Sequence, residues 1–288
     1  MRLIDLMHTG LPRVIGCYQL DDVLIDPGPG SCLPTLLEGL GGQVPRALLL
    51  THIHLDHAGA SGSLVRRWPD LEVYVHERGA PHLIDPSRLM KSARRLYGDD
   101  MDRLWGEMIP VPEGNLRVLS GGERVLGETF EVAYTPGHAS HHVSYLHKDT
   151  AYVGDVGGVR IPPSSMIQPP TPPPDIDVDA WHRSIELVSA WQPRRLAMTH
   201  FGLTEDVDGQ LSELARQLDE WVQIVPDHDE QSFIAWLEGQ IVREAGPELV
   251  PMFRQAAPAD QMYKGMERYL RKRAEALSGP AQGGSPVS

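Results

Sequence analysis

The sequence predicts a layered α/β fold with a helical extension at its C-terminal end, and three observations carry that prediction. Apolar runs of strand length alternate with turn and helix patterns up to about residue 208. Four of those runs end directly before a His or an Asp, as expected where a site sits beyond the strand ends of a layered fold. From Gln210 to Leu277 the pattern is helical.

The elements follow in order. Arg13–Leu20 and Asp22–Ile25 read as a strand pair with its turn at Asp21-Asp22, and Asp26-Pro27-Gly28-Pro29-Gly30 as a loop. Ser31 is placed as the cap of a helix reaching Leu40. Arg46–Leu50 is a strand, Ala58–Trp68 a helix stopped by Pro69, and Glu72–Val75 a strand. Residues 78–108 turn helical and irregular, an insertion or cap. Strands resume at Leu116–Leu119, Phe130–Tyr134, His142–Leu146 and Ala151–Val153. The Pro-rich segment Ile161–Pro174 excludes regular helix and central strand. Helix Val178–Trp191, strand Arg195–Met198 and helices over 210–222, 230–244 and 259–277 complete the chain, with 279–288 read as a disordered tail.

Composition removes several classes of function. A formal net charge of −13 argues against a nucleic-acid binder, which needs a concentrated basic surface. No segment has the length of a membrane span, and the first residues lack the apolar core of a signal peptide. Cys17 and Cys32 make neither a disulfide framework nor a CxxC pair, so a reducing cytoplasm is the expected compartment. There is no GxSxG elbow or phosphate loop, and Gly28-Pro29-Gly30 lacks the third glycine of a dinucleotide loop.

The chemistry concentrates in Thr51-His52-Ile53-His54-Leu55-Asp56-His57, directly after Ala47-Leu48-Leu49-Leu50. Three imidazoles and a carboxylate crowded together gain nothing from packing, and divalent metal is the economical reason for them. His138, Asp155 and His200 each follow another strand. His52 and His54, two apart in extended chain, project to one side, while Asp56 and His57 turn into the next helix. One metal then takes His52, His54 and His138, a second takes Asp56, His57 and His200, and Asp155 bridges them. Isolated histidines (His8, His76, His82, His147) are read as core or surface residues.

With Asp26, the Thr51–Gly59 stretch, Thr135-Pro136-Gly137-His138, Gly154-Asp155 and Thr199-His200-Phe201-Gly202 in this order, the chain resembles the metallo-β-lactamase fold superfamily over residues 14–203. The resemblance implies a four-layer αββα sandwich with a dinuclear centre, His142 as a partner behind a ligand and Asp26 as a residue that orients one. An Asp at position 155 departs from the true β-lactamases, and His54 departs from the flavodiiron proteins, which carry Glu there. The group similar to glyoxalase II and the lactonases remains. The expected organisation is a metal-binding domain over 1–208, with 78–108 as its cap, and a helical region over 209–278.

The expected activity is hydrolysis of a thioester, ester or lactone by a metal-held hydroxide that Asp56 orients, on a small-molecule substrate. Two divalent ions are the expected cofactors, zinc first, with iron or manganese also suited to His and carboxylate ligands. A mononuclear iron dioxygenase and a phosphodiesterase or nuclease are the competing activities. Met90, Tyr97, Trp105, Arg160, Met166 and Phe201 are candidates for the substrate pocket, Arg160 as a partner for a substrate anion. The C-terminal helices offer apolar faces on which a homo-oligomer could form.

Overall fold

In the computed structural model, which describes residues 1–278, strand residues alternate between two separate apolar clusters. Strand β1 spans Arg2–Asp5, β2 Gly16–Leu20, β3 Val23–Ile25, β4 Ala47–Leu49, β5 Glu72–His76 and β6 Leu116–Leu119. They form one six-stranded sheet in chain order, antiparallel from β1 to β3 and parallel from β3 to β6. Strands β7 (Arg124–Val125), β8 (Phe130–Tyr134), β9 (Val143–His147), β10 (Thr150–Tyr152), β11 (Arg195–Met198) and β12 (Gly202–Thr204) form the second. Only the β10–β11 pair in it is parallel.

The period of two explains why both faces of each sheet are buried. Ile25, Leu49 and Tyr74 of the first sheet meet Val132, Tyr145 and Tyr152 of the second in the inter-sheet core. Their neighbours Leu24, Leu48, Val73 and Leu196 point outward into the cluster shared with the helices. Tyr18 ties the layers together: its Oη donates to the Met198 carbonyl at 3.0 Å and its ring meets Tyr152 edge-on at 5.4 Å. Helix α1 (Leu33–Leu40) lies on the first sheet, with Gly39 against Ile4 of β1. The outer sheet faces are thus covered by helices, which is the four-layer sandwich.

Between β4 and β5 the chain forms α2 (Leu55–Ala58) and α3 (Ser61–Arg67), two helices where the sequence suggested one. The segment read as a cap holds α4 (Ala80–Ile84), α5 (Ser87–Tyr97) and α6 (Met101–Leu104). Helix α7 (Val178–Ala190) starts on an Asp177 side chain that accepts from Ala180 N. Helices α8 (Val207–Ile224), α9 (Glu230–Glu244), α10 (Val250–Ala256) and α11 (Ala259–Ser278) end the described chain. Asp229 and Ser232 build a reciprocal capping box on α9, and Phe233 packs on Trp221 and Tyr263 at ring distances of 5.3 and 5.6 Å.

Ser31 does not cap α1. Its Oγ donates to the Leu104 carbonyl at 2.6 Å, and the α1 N-terminus carries no side-chain cap. Strands β1, β7 and β12 and helix α10 have no counterpart in the sequence reading, because runs of two to seven residues carry too little periodicity. The tail 279–288 lies outside the described residues. Among the described residues no helix is long and apolar enough to cross a membrane.

Candidate metal centre

Central strand β4 is hydrogen-bonded to parallel neighbours on both sides and delivers the first ligand-type residues. Its continuation is held from both layers: Leu50 N donates to Tyr74 O at 3.0 Å, Tyr145 Oη donates to Leu50 O at 2.8 Å, and Val143 N donates to Thr51 O at 2.8 Å. The chain stays extended to His54 and then enters α2, which turns Asp56 and His57 away from the His52/His54 side. His138 follows β8 by way of Gly137, where φ is +143° and an added Cβ would stand 2.4 Å from Trp181 Cα. Asp155 follows β10 in a 3-10 turn beginning at Gly154, where φ is +46° and a Cβ would meet Thr51 Oγ1 at 2.5 Å. These two glycines allow the close approach that brings separate strand ends to one point.

Two groups of donor atoms result. His54 Nδ1 lies 3.0 Å from His52 Nε2 and 2.9 Å from His138 Nε2. His200 Nε2 lies 3.3 Å from Asp56 Oδ2, and His57 Nε2 lies 3.7 Å from the same oxygen. Asp155 stands between the groups: its Oδ2 is 3.2 Å from His138 Nε2, while its Oδ1 is 3.1 Å from His57 Nε2 and 3.5 Å from His200 Nε2. All seven residues singled out around the opening motif and the later strand ends therefore meet, and their donor atoms form three overlapping groups: His52, His54 and His138; His52, His57 and Asp155; Asp56, His57 and His200.

Hydrogen bonds behind the rings decide which atom each presents. His138 Nδ1 donates to the Pro170 carbonyl at 2.7 Å and His200 Nδ1 to the Val14 carbonyl at 2.5 Å. A carbonyl only accepts, so both rings carry a proton on Nδ1 and present Nε2 to the interior. His57 Nδ1 does the same toward Asp26 Oδ2 at 2.8 Å. Asp26, fully buried, also accepts from Thr51 N at 2.8 Å, Thr51 Oγ1 at 2.7 Å and Thr199 Oγ1 at 2.8 Å. It locks three strand ends to one ring.

The inward atoms His57 Nε2, His200 Nε2 and Asp155 Oδ1 are buried without a hydrogen-bond partner among the described residues. Buried lone pairs that face one another are stable only around positive charge. Burial, reinforced by neighbouring imidazoles, holds His52 far below the usual histidine range and brings His54 to about 4, so both rings offer lone pairs at neutral pH. Burial also tends to raise the carboxyls, but His57 and His200 outweigh it for Asp56, and His57, His138 and His200 do so for Asp155. Both aspartates stay ionised. For His57 and His200 burial is likewise outweighed, and Asp155 and Asp56 raise both. The donor chemistry fits two divalent cations.

His142 lies behind His52, their ring centroids 5.1 Å apart, with its Nδ1 on Thr135 Oγ1 at 2.9 Å. It meets the cluster through its ring face and makes no hydrogen bond to it. His141 is buried beside the same rings, 5.6 Å from His54, and the sequence reading passed over it. His8 is a core residue as expected, with its Nε2 on the Leu104 carbonyl at 2.7 Å and its ring stacked on Trp105 at 5.2 Å.

A cavity of about 290 Å3 opens over His54, Asp56 and Asp155. Of the residues read as pocket candidates, Tyr97 and Trp105 line it, and Met90, Met166, Arg160 and Phe201 do not. Arg160 is turned away, its Nη1 donating to Thr204 Oγ1 at 2.8 Å, and Phe201 packs toward Gly16. The third wall, including Arg254, Gln261 and Met262, comes from α10, α11 and the link between them, whose helical pattern gave no sign of a site.

Comparison with known proteins agrees with this geometry. A family model described as the metallo-beta-lactamase superfamily matches residues 20–200. The hydroxyacylglutathione hydrolase of Xylella fastidiosa is 32% identical over 134 residues, 46% of this chain and only 40% of that protein. The metallo-beta-lactamase fold-containing protein ST1585 of Sulfurisphaera tokodaii is 30% identical over 199 residues, 65% of this chain and 71% of its own. The crystal structure of ST1585 superposes with a TM-score of 0.61, covering 89% of this chain and 93% of that one at 20% identity. TTHA1623, solved in a di-iron-bound form, gives a TM-score of 0.52 at 28% identity, covering 70% of this chain and 93% of that one.

Proposed function

Because the chain belongs to the metallo-β-lactamase superfamily, we propose that it is a dinuclear metal-dependent hydrolase acting on a small thioester, ester or lactone. The observation that carries this reading is Asp155, which turns one carboxylate oxygen to each set of donor atoms. His52, His54 and His138 would hold one ion, Asp56, His57 and His200 the other, with Asp155 between them. Zinc is the proposed metal; iron is the alternative, supported by the di-iron form of TTHA1623. Bound there, the ions supply Lewis acidity, acidifying water and polarising a carbonyl.

The protein's own groups do the rest. Asp56 is the member of the second set that reaches the cavity, its side chain 19% exposed. It accepts a hydrogen bond from the attacking water and aims the oxygen at the acyl carbon. Asp26 and the Pro170 and Val14 carbonyls keep the three inward-facing rings from rotating. Water's oxygen bonds to the acyl carbon, the acyl–sulfur or acyl–oxygen bond breaks, and the leaving group departs with a proton as thiol or alcohol.

Metal content combined with a panel of thioesters, lactones and bis-p-nitrophenyl phosphate tests this. Two metals per chain with acyl hydrolysis is the expected result. One iron per chain with oxygen consumption would establish the dioxygenase instead, and preferential cleavage of the phosphodiester would establish a phosphodiesterase.

A further inference from the structure

The hydrolase reading leaves the acyl group unspecified, and the cavity above the cluster narrows it. From a polar floor of His54, Asp56 and Asp155, the cavity runs between the cap, the Pro-rich segment and the α10–α11 corner. Its sides are apolar, with Leu89, Ala93, Leu104, Trp105, Pro172 and Met262 among them. The two cationic side chains that reach it are Arg103 and Arg254, and each already has a carboxylate. Arg103 Nε is 3.0 Å from Asp100 Oδ1 and Arg254 Nε is 2.6 Å from Glu238 Oε1, with the arginine side chains 60% and 59% exposed. At such exposure a substrate anion would compete with both water and the resident carboxylate, for little gain. Tyr97 Oη donates to Gln261 Oε1 at 3.1 Å, so the cap's phenol is occupied as well. A chain carrying −13 also repels anions at long range.

Resting on the hydrolase reading above, we propose that the substrate's acyl group is an uncharged, apolar chain of medium length lying in this cavity, and that anionic glutathione thioesters are poor substrates. The α10–α11 wall lies outside residues 20–200, where the family model matches.

The test uses the full-length, zinc-loaded protein and p-nitrophenyl esters from acetate to octanoate, with S-lactoylglutathione and S-hexanoyl-N-acetylcysteamine as paired thioesters. The value of kcat/KM is expected to rise about fourfold per methylene until the chain fills the cavity, the equivalent of ~0.8 kcal/mol per buried CH2. The hexanoyl thioester is expected to outrun the glutathione one. Ala93→Phe should reduce the octanoate-to-acetate ratio about tenfold or more. Should that variant not fold, Leu96→Glu at the exposed mouth should shift the ratio in the same direction. Separately, calorimetric titration of metal-free protein with octanamide should show binding with a negative heat-capacity change, weakened in either variant.

A flat chain-length series, or preference for the glutathione thioester, overturns the proposal and leaves the hydrolase reading standing. Octanamide binding without hydrolysis of any acyl compound overturns the hydrolase reading and leaves the apolar cavity site. Absence of both binding and hydrolysis overturns the two together.

Discussion

The metal cluster and the cavity above it differ in how their residues are held. Cluster side chains leave four strand ends, and His57, His138 and His200 each have a hydrogen-bond partner behind the ring. The cavity wall is gathered from α5, the loop around Pro172 and the α10–α11 corner, segments far apart in sequence. Polar ties across it are few: Tyr97 to Gln261 at 3.1 Å, and Thr171 Oγ1 to the Met262 carbonyl at 3.0 Å. Reaction chemistry needs donor atoms fixed closely, and the sheets supply that rigidity. Selection needs only shape and polarity, which helices packed on the rim provide.

This contrast can be broken or sharpened by experiment, beginning with the largest effect. Chelation should abolish hydrolysis, and back-titration with zinc should restore it at two ions per chain. It should also lower thermal stability, since ions present at 100 times their Kd contribute about 2.7 kcal/mol. Asp56→Ala is expected to reduce kcat by about 10²–10⁴ with an unchanged circular dichroism spectrum, as loss of a proton-accepting group does. Full activity in that variant would remove Asp56 from the mechanism.

Asp26→Ala strands a buried ring and three other donors at once. It should weaken metal binding about 10–100-fold and cost about 3–5 kcal/mol in denaturant unfolding. Gly265→Ala probes the other region. An alanine inside a helix ordinarily stabilises by up to about 1 kcal/mol, but here its Cβ would stand 1.8 Å from the Thr171 carbonyl oxygen. We expect a net loss of about 1–3 kcal/mol and a raised KM with kcat little changed. The smallest effect belongs to Tyr97→Phe, about 0.5–1.5 kcal/mol for one hydrogen bond, read as a modest change in KM.

Legibility in the sequence follows the same division. The cluster could be read because His52 to His57 are neighbours in the chain and the remaining ligand-type residues each follow an apolar run. Strand periodicity placed nine strands close to where they lie, including every one that delivers a cluster residue. The short edge strands β7 and β12 and the four-residue β1 were too brief to carry a pattern. Ser31 was misread because a hydroxyl ahead of an apolar run looks the same whether it caps its own helix or reaches a distant carbonyl. Arg160 was drawn toward the site by its nearness in sequence to Asp155, yet Thr204, forty-four residues on, holds its side chain. The Gln261 and Met262 wall had no signal at all, because facing a cavity asks nothing special of a helix.

The tight seat of α11 on the Pro-rich segment has an evolutionary consequence. Gly265 cannot drift without lifting the helix from Thr171, and Met262, one turn earlier, accepts the Thr171 N–H on its Sδ at 2.8 Å. The Gln261 side chain, by contrast, faces the cavity and meets only the Tyr97 hydroxyl among the hydrogen bonds of that wall. Descendants of this chain can therefore exchange Gln261 more freely than Met262 or Gly265, and acquire new diets while inheriting the same seat.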